Sequence, residues 1–356
     1  MKAALLQTQQ FCERFGLRVP ILLAPMAGAS PPSLSIAVAQ AGALAACGAV
    51  LMKPEEIIAW ANEVRRGTDG PFQFNLWIPD PPPARNPAHE ACLREFLSAW
   101  GPAVAENAGD ARPPDFAAQC EALLTAAPRV ASSIMGVYPT SFVRRLKECG
   151  IAWFASVSTV EEARLAAEAG ADAIVAQGSE AGGHRGSFQA AKAERGMVGL
   201  MSLVPAVCDA VKVPVIAAGG IADARGVAAA LVLGASAVQI GTAFLVCPEA
   251  QIHPAWAKAL TQAAPEDTIV SRVFSGRAGR SLATDYVRAA TSPAAPTPAP
   301  YPVQRGLTAA MRADAIKTGD VQRMQAWAGQ SAGLARVMPA AELVTKIWED
   351  VQNLAK

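Results

Sequence analysis

Val213-Pro-Val-Ile-Ala-Ala-Gly-Gly-Ile221, then a helix opened by Asp223 and closed by Gly234, then Ala237-Val-Gln-Ile-Gly-Thr242, is the stretch from which the architecture can be read. Both apolar runs are short and unbroken rather than alternating, the pattern of parallel strands buried on both faces. An Asp cap and a glycine stop bracket the helix between them. Parallel strands need such a crossover, so the stretch is one βαβ unit.

Outward from it, the same unit recurs towards the N-terminus. Residues 19–24, 43–47, 72–77, 129–134, 151–157 and 173–176 read as strands. Residues 33–40, 54–66, 115–126, 140–149, 159–169 (capped by Ser158) and 200–211 read as the helices between them. Eight strands in about 245 residues predict an α/β chain folded as a (β/α)8 TIM barrel. A doubly wound sheet is the competing architecture, but no Gly-x-Gly-x-x-Gly follows the first strand. The rhythm is interrupted at residues 79–114, which are Pro-rich and carry one short helix at 89–100, and it stops after Phe244. The expected division is a barrel over residues 1–246, a smaller inserted substrate or lid subdomain over 247–325 with a Pro-rich linker at 293–300, and a C-terminal segment, 326–356. The amphipathic run 340–354 would return as the eighth barrel helix.

Composition narrows the function classes. The chain has 356 residues, 52% hydrophobic and 17% charged, so it can bury a large core. A net charge of +1 gives no basic field for nucleic acid or an anionic membrane. No apolar run is long enough to span a bilayer, and the N-terminus lacks a signal-peptide core. Seven scattered cysteines without a Cys-x-x-Cys pair argue against a disulfide framework or structural zinc. A cytoplasmic location is expected.

In this fold function collects at the C-terminal ends of the strands. Gly219-Gly220 and Gly241-Thr242 end the last two strands, where backbone N–H groups can approach a phosphate. Asn75, Gln177 and Gln239 bring amides to the same mouth, suited to a flat heterocycle such as a flavin ring. Spacing leaves open whether Asn75 and Gln239 merely satisfy polar groups inside the barrel. His184 follows the sixth strand on a loop over the mouth, placed to act as a base or to stabilise an anion. No second His or Cys stands at metal-ligand spacing, so no metal is expected. Gly329-Gln-Ser-Ala-Gly333 matches the hydrolase elbow, but no apolar strand precedes it and no histidine follows, so it reads as chance.

Leu23-Ala-Pro-Met-Ala-Gly28, the run 177–186, Pro214-Val-Ile-Ala-Ala-Gly-Gly-Ile221, the run 234–244, Pro300-Tyr-Pro302 and Trp327-Ala-Gly-Gln330 together resemble class I of the nitronate monooxygenase (2-nitropropane dioxygenase-like) family. The Glu180-Ala-Gly-Gly-His184 core is shared by flavin-dependent reductases of enoyl thioesters and quinones, which stand as the alternative. The resemblance implies a barrel holding FMN non-covalently through Met26, Asn75, Gln177, Gly182, Gly219, Gly220, Gln239, Ile240, Gly241 and Thr242. It implies His184 as the catalytic residue, with Tyr301 or Tyr286 near the nitro group. The implied reaction takes an alkyl nitronate, such as the plant toxin propionate 3-nitronate, and O2 to a carbonyl compound and nitrite, a detoxification. Nitroalkanes are alternative substrates, and a homo-oligomer is compatible with the family.

Overall fold

The computed structural model describes residues 2–356. Eight parallel strands form the expected barrel: β1 (Ile21–Leu23), β2 (Ala45–Gly48), β3 (Phe72–Trp77), β4 (Val130–Ile134), β5 (Ala152–Val157), β6 (Ala173–Gln177), β8 (Val215–Ala218) and β9 (Ala237–Ile240). Three further short strands belong to another sheet: β7 (Gly183–His184), β10 (Thr268–Ser271) and β11 (Gly279–Leu282). The barrel strands pair in chain order, and β1 returns to β9. The ring closes between β1 and the run leading into β2, where Leu22 bridges Leu44 and Leu23 N–H donates to Leu44 O at 2.9 Å.

Two apolar layers follow from the pleat. Outward-facing residues such as Phe74, Trp153, Ile174 and Ile240 pack under the surrounding helices. Inward-facing Leu22, Leu44, Val130, Phe154, Val175 and Ile216 fill the barrel. A helix the strand–helix reading did not include, Lys2–Phe15, closes the bottom of that filling. Its Phe11 and Phe15 are buried, and the Phe15 ring meets Phe154 edge-on at 4.8 Å. The floor is thus sealed by aromatic side chains, and chemistry is confined to the other end.

The helix Ala340–Leu354 lies against Pro32–Gln40 and Ala224–Val232 and completes the outer ring. The helix Val160–Glu168 differs from expectation in its cap. Thr159 Oγ1 accepts Glu162 N–H, while buried Ser158 donates to the Glu162 carboxylate instead. A second core sits above the mouth. In it Leu93 and Leu97, from the interrupting Pro-rich region, pack with Phe274, Tyr286, Leu307 and Met311. The small sheet, ordered β10-β11-β7, ties this upper layer to the loop after β6. Among the described residues no helix is long and apolar enough to cross a membrane.

Candidate active site

At the ends of β8 and β9 the chain turns on glycine. Gly219 and Gly220 have φ of +110° and +69°, which L side chains rarely adopt. A Cβ on Gly219 would stand 2.9 Å from the Ala181 nitrogen, so backbone meets backbone directly. Met26 lies beside the neighbouring turn, with its sulfur 3.5 Å from where a Gly241 Cβ would be. Thr242 Oγ1 accepts Gly329 N–H at 3.0 Å, and Ser331 Oγ donates to Gly220 O at 2.6 Å. The stretch whose pattern reads as a chance hydrolase match therefore reaches both glycine turns. Local pattern could not show this, because the contact is made across more than eighty residues of chain. Gly182 is the reason the cover fits so closely: a Cβ there would be 2.5 Å from the Gly329 nitrogen.

The amides are placed unequally. Asn75 is buried and donates to Ser132 Oγ at 3.1 Å. Gln239, also buried, faces the barrel interior, whereas the Ile240 side chain faces the outer helices and leaves only its backbone near the mouth. Gln177 clasps the histidine loop: its Nε2 donates to His184 O at 3.0 Å and its Oε1 accepts Gly186 N–H at 2.8 Å. One donor and one acceptor direction of that amide stay free. Gln73, which sequence reasoning did not single out, donates to Leu23 O, while its Oε1 is buried with no partner among the described residues.

His184 lies on β7, the edge strand held antiparallel to β11 with Gly279 opposite it. Its ring stands between two tryptophans, with centroids 4.6 Å from Trp77 and 4.7 Å from Trp327. Nε2 is 2.7 Å from Ser275 Oγ. Burial, followed by the charges of Arg305, Arg277 and Arg312, pushes the imidazole pKa down to about 3, so the ring is neutral at pH 7. Arg277 is paired with Asp80 in a bidentate contact of 2.6 and 2.7 Å. Arg305 and Arg312 have no carboxylate within ion-pair distance among the described residues, and burial lowers both pKa values, Arg312 to about 10. Arg312 is held by the neutral acceptors Thr308 Oγ1 and Arg305 O. Two guanidiniums whose charges act on the imidazole therefore have no carboxylate partner among the described residues.

The other charged members of the loop are structural. Glu180 accepts the Leu200 N–H at the start of the helix Leu200–Ala210, and Arg185 donates to Gly178 O at 2.5 Å. Of the two tyrosines, Tyr301 packs 5.3 Å from Trp77, near the imidazole. Tyr286 is buried in the upper core with its hydroxyl on Val273 O at 3.0 Å, so it is not a nitro-group contact. Sequence reasoning also missed Trp77 and Ser275 as neighbours of His184 and Arg305 and Arg312 as charges acting on it, since they come from separate segments with no shared motif. Among the described residues no cluster of His, Cys, Asp or Glu suits a metal ion.

The family model described as nitronate monooxygenase matches residues 9–350. A nitronate monooxygenase of Pseudomonas aeruginosa is 38% identical, covering 97% of this chain and all of the relative. A solved structure of nitroalkane oxidase from Streptomyces ansochromogenes superposes with a TM-score of 0.88 at 33% identity, covering 97% and 98% of the two chains. FabK from Thermotoga maritima superposes with a TM-score of 0.75 at 29% identity, covering 97% of this chain and 96% of its own. A match across nearly the whole chain, with the barrel and His184 loop in place, settles the relationship: the chain belongs to the nitronate monooxygenase family.

Proposed function

We propose that the protein is an FMN-dependent monooxygenase that takes alkyl nitronates, propionate 3-nitronate among them, with O2 to a carbonyl compound and nitrite. The observation that carries this reading is the neutral imidazole packed against Trp77 and Trp327, in the electrostatic field of Arg305 and Arg312, which have no carboxylate partner among the described residues. A nitronate is already an anion and needs no base. Arg305 and Arg312 supply the charge that holds it, and His184 supplies a hydrogen-bonding edge. A neutral nitroalkane would need its α-proton removed, and an imidazole of such low pKa is a weak base for that step. Nitronates are therefore favoured over nitroalkanes.

The residues fit FMN. The buried Gln73 Oε1 without a partner matches a ring N–H donor in kind, and the left-handed bends at Gly219 and Gly220 present backbone rather than side chain at the mouth. Gly219, Gly220, Gly241 and Thr242 would hold the phosphate end. Met26, Asn75, Gln177, Gly182, Gln239 and the Ile240 backbone would line the ring and its ribityl chain. The chemistry FMN supplies when bound is electron transfer from the nitronate and onward to O2. Trp77 and Trp327 pack against the imidazole ring, and residues 329–331 are tied to the glycine turns by two hydrogen bonds. The cysteines are all free thiols, which suits a reducing cytoplasm.

The likeness to FabK keeps one second reading in view, an NAD(P)H-dependent reductase of enoyl thioesters or quinones on the same scaffold. Anaerobic mixing of the yellow protein separates the two. We expect a nitronate to bleach the flavin absorbance and NADH to leave it unchanged. Bleaching by NADH alone overturns the nitronate reading.

A further inference from the structure

Residues 328–331 lie far along the chain from the glycine turns, yet this strap is built into both of them. Thr242 Oγ1 accepts the Gly329 N–H and Ser331 Oγ donates to Gly220 O, contacts that span 87 and 111 residues of chain. Apolar packing fixes the strap from below. Ala326, Ala328 and Ala332 are buried against Leu245 and Val246, at the end of the short helix Thr242–Leu245. Gln330 N–H donates to Glu180 O at 2.9 Å. Where the strap crosses the histidine loop, neither backbone has room for a side chain. A Cβ on Gly182 would stand 2.5 Å from the Gly329 nitrogen, and one on Gly329 would stand 3.0 Å from Glu180 O.

The strap takes acceptors from the turns. Ser331 occupies the Gly220 carbonyl, and Gly329 fills an acceptor position of the Thr242 hydroxyl, whose own proton has no partner among the described residues. The Gly241 carbonyl is occupied as well, by Phe244 N–H at 2.9 Å. Donors are left free. The N–H groups of Gly219, Gly220 and Gly241 donate to nothing among the described residues. A bare turn offers N–H and C=O groups alike, and the partial negative charge of a free carbonyl opposes an anion. With the strap in place the balance of unpaired groups shifts towards donors. A phosphate monoester, which brings acceptor oxygens and negative charge, is the ligand chemistry that matches.

We infer that Gly329 and Ser331 are positioning residues for the cofactor phosphate, acting through Thr242 and Gly220, and that they make FMN, rather than phosphate-free riboflavin, the flavin this protein retains. The inference rests on the FMN reading and assigns the specificity for the phosphorylated form within it. It also gives the stretch 329–333 a use other than that of a hydrolase elbow: the Ser331 hydroxyl is spent on a carbonyl and is no nucleophile.

The test is titration of the stripped protein with FMN and with riboflavin, followed by flavin fluorescence. Ser331→Ala should weaken FMN binding about tenfold and leave riboflavin within about twofold, so that the preference for FMN falls about tenfold. Gly329→Ala, whose Cβ would meet Glu180 O and the Gly182 nitrogen at 3.0 and 3.1 Å, should lift the strap and lower the same preference. Equal weakening of both flavins in Ser331→Ala, or a preference unchanged from the parent's, overturns the inference. Inorganic phosphate separates this from failure of the cofactor reading. If the parent takes up neither flavin, a phosphate-dependent rise in its melting temperature that is lost in Ser331→Ala still supports the strap. No rise, or the same rise in both proteins, overturns it.

Discussion

The rim over β8 and β9 and the rim over β3 and β7 face one mouth but are built by opposite means. The first is backbone: glycine bends, a threonine hydroxyl and a covering loop that approaches at main-chain distance. The second is side chain: two tryptophans, an imidazole and long arginines delivered from the loop after β6, the upper core and the C-terminal segment. A cofactor phosphate is the same in every turnover and suits a rigid cradle. A substrate must enter and leave, and a field of arginines can hold an anion without enclosing it. The difference predicts that the two rims fail separately.

The largest separation should come from Arg305→Gln. Removing one of two uncompensated guanidiniums should lower kcat/KM for nitronates by about 10²-fold, chiefly through KM, consistent with the roughly 2–5 kcal/mol seen when a buried charge partner is lost. Flavin absorbance of the purified variant should be unchanged. A pale protein would mean that the arginine serves the cofactor, and the two-rim division would fail.

Gly219→Ala attacks the other rim. A side chain at φ +110°, with the Ala181 nitrogen 2.9 Å from its Cβ, should weaken FMN binding about ten- to thirtyfold by titration of the stripped protein. Once saturated with FMN, the variant should show the parent KM for nitronates. A raised KM in the saturated enzyme would show that the rims are coupled.

What the sequence displays follows the same division. The barrel strands from β1 to β9 and the glycine turns are local features: short apolar runs, a cap, a stop, a bend, each within about ten residues. They read directly from the order of residues. Ser275 and Arg305 could not, because nothing near either marks the first as meeting His184 or the second as acting on its charge; their placement is decided by β11 pairing with β7 and by the packing of the upper core. Gly329 and Ser331 show the same limit from the other side, since a motif-like pattern was present but its meaning lay in contacts with Thr242 and Gly220. The helix Lys2–Phe15 was missed for a related reason: its aromatic face has value only against Phe154 inside the barrel.

A smaller effect is expected at Ser275. Ser275→Ala removes the hydroxyl 2.7 Å from His184 Nε2 while the two tryptophans still hold the ring. Turnover should fall about three- to tenfold, the size of one neutral hydrogen bond. Nitronate KM should change less than it does in Arg305→Gln. A loss as large as that of the arginine variant would make the serine, rather than the cationic field, the organising element of this rim.

The smallest effect is on stability, and its sign follows from the imidazole. In the folded protein His184 titrates near 3, against the ordinary 6.5 of an unfolded chain. Between those values the unfolded state binds more protons, so stability falls as pH drops below about 6.5 and is fully present above it. The slope should be less than the roughly 1.4 kcal/mol per pH unit of a whole proton, since the ring keeps some contact with solvent. Urea midpoints measured from pH 7.5 down to pH 5 should therefore fall more steeply in the parent than in His184→Asn, which has no group to titrate there. The bends at Gly219 and Gly220 carry no ionisable side chain, so Gly219→Ala should keep the parent slope even though its midpoints are lower. Parallel slopes in the parent and His184→Asn would mean that the ring titrates normally, and the argument for nitronate over nitroalkane would go with it.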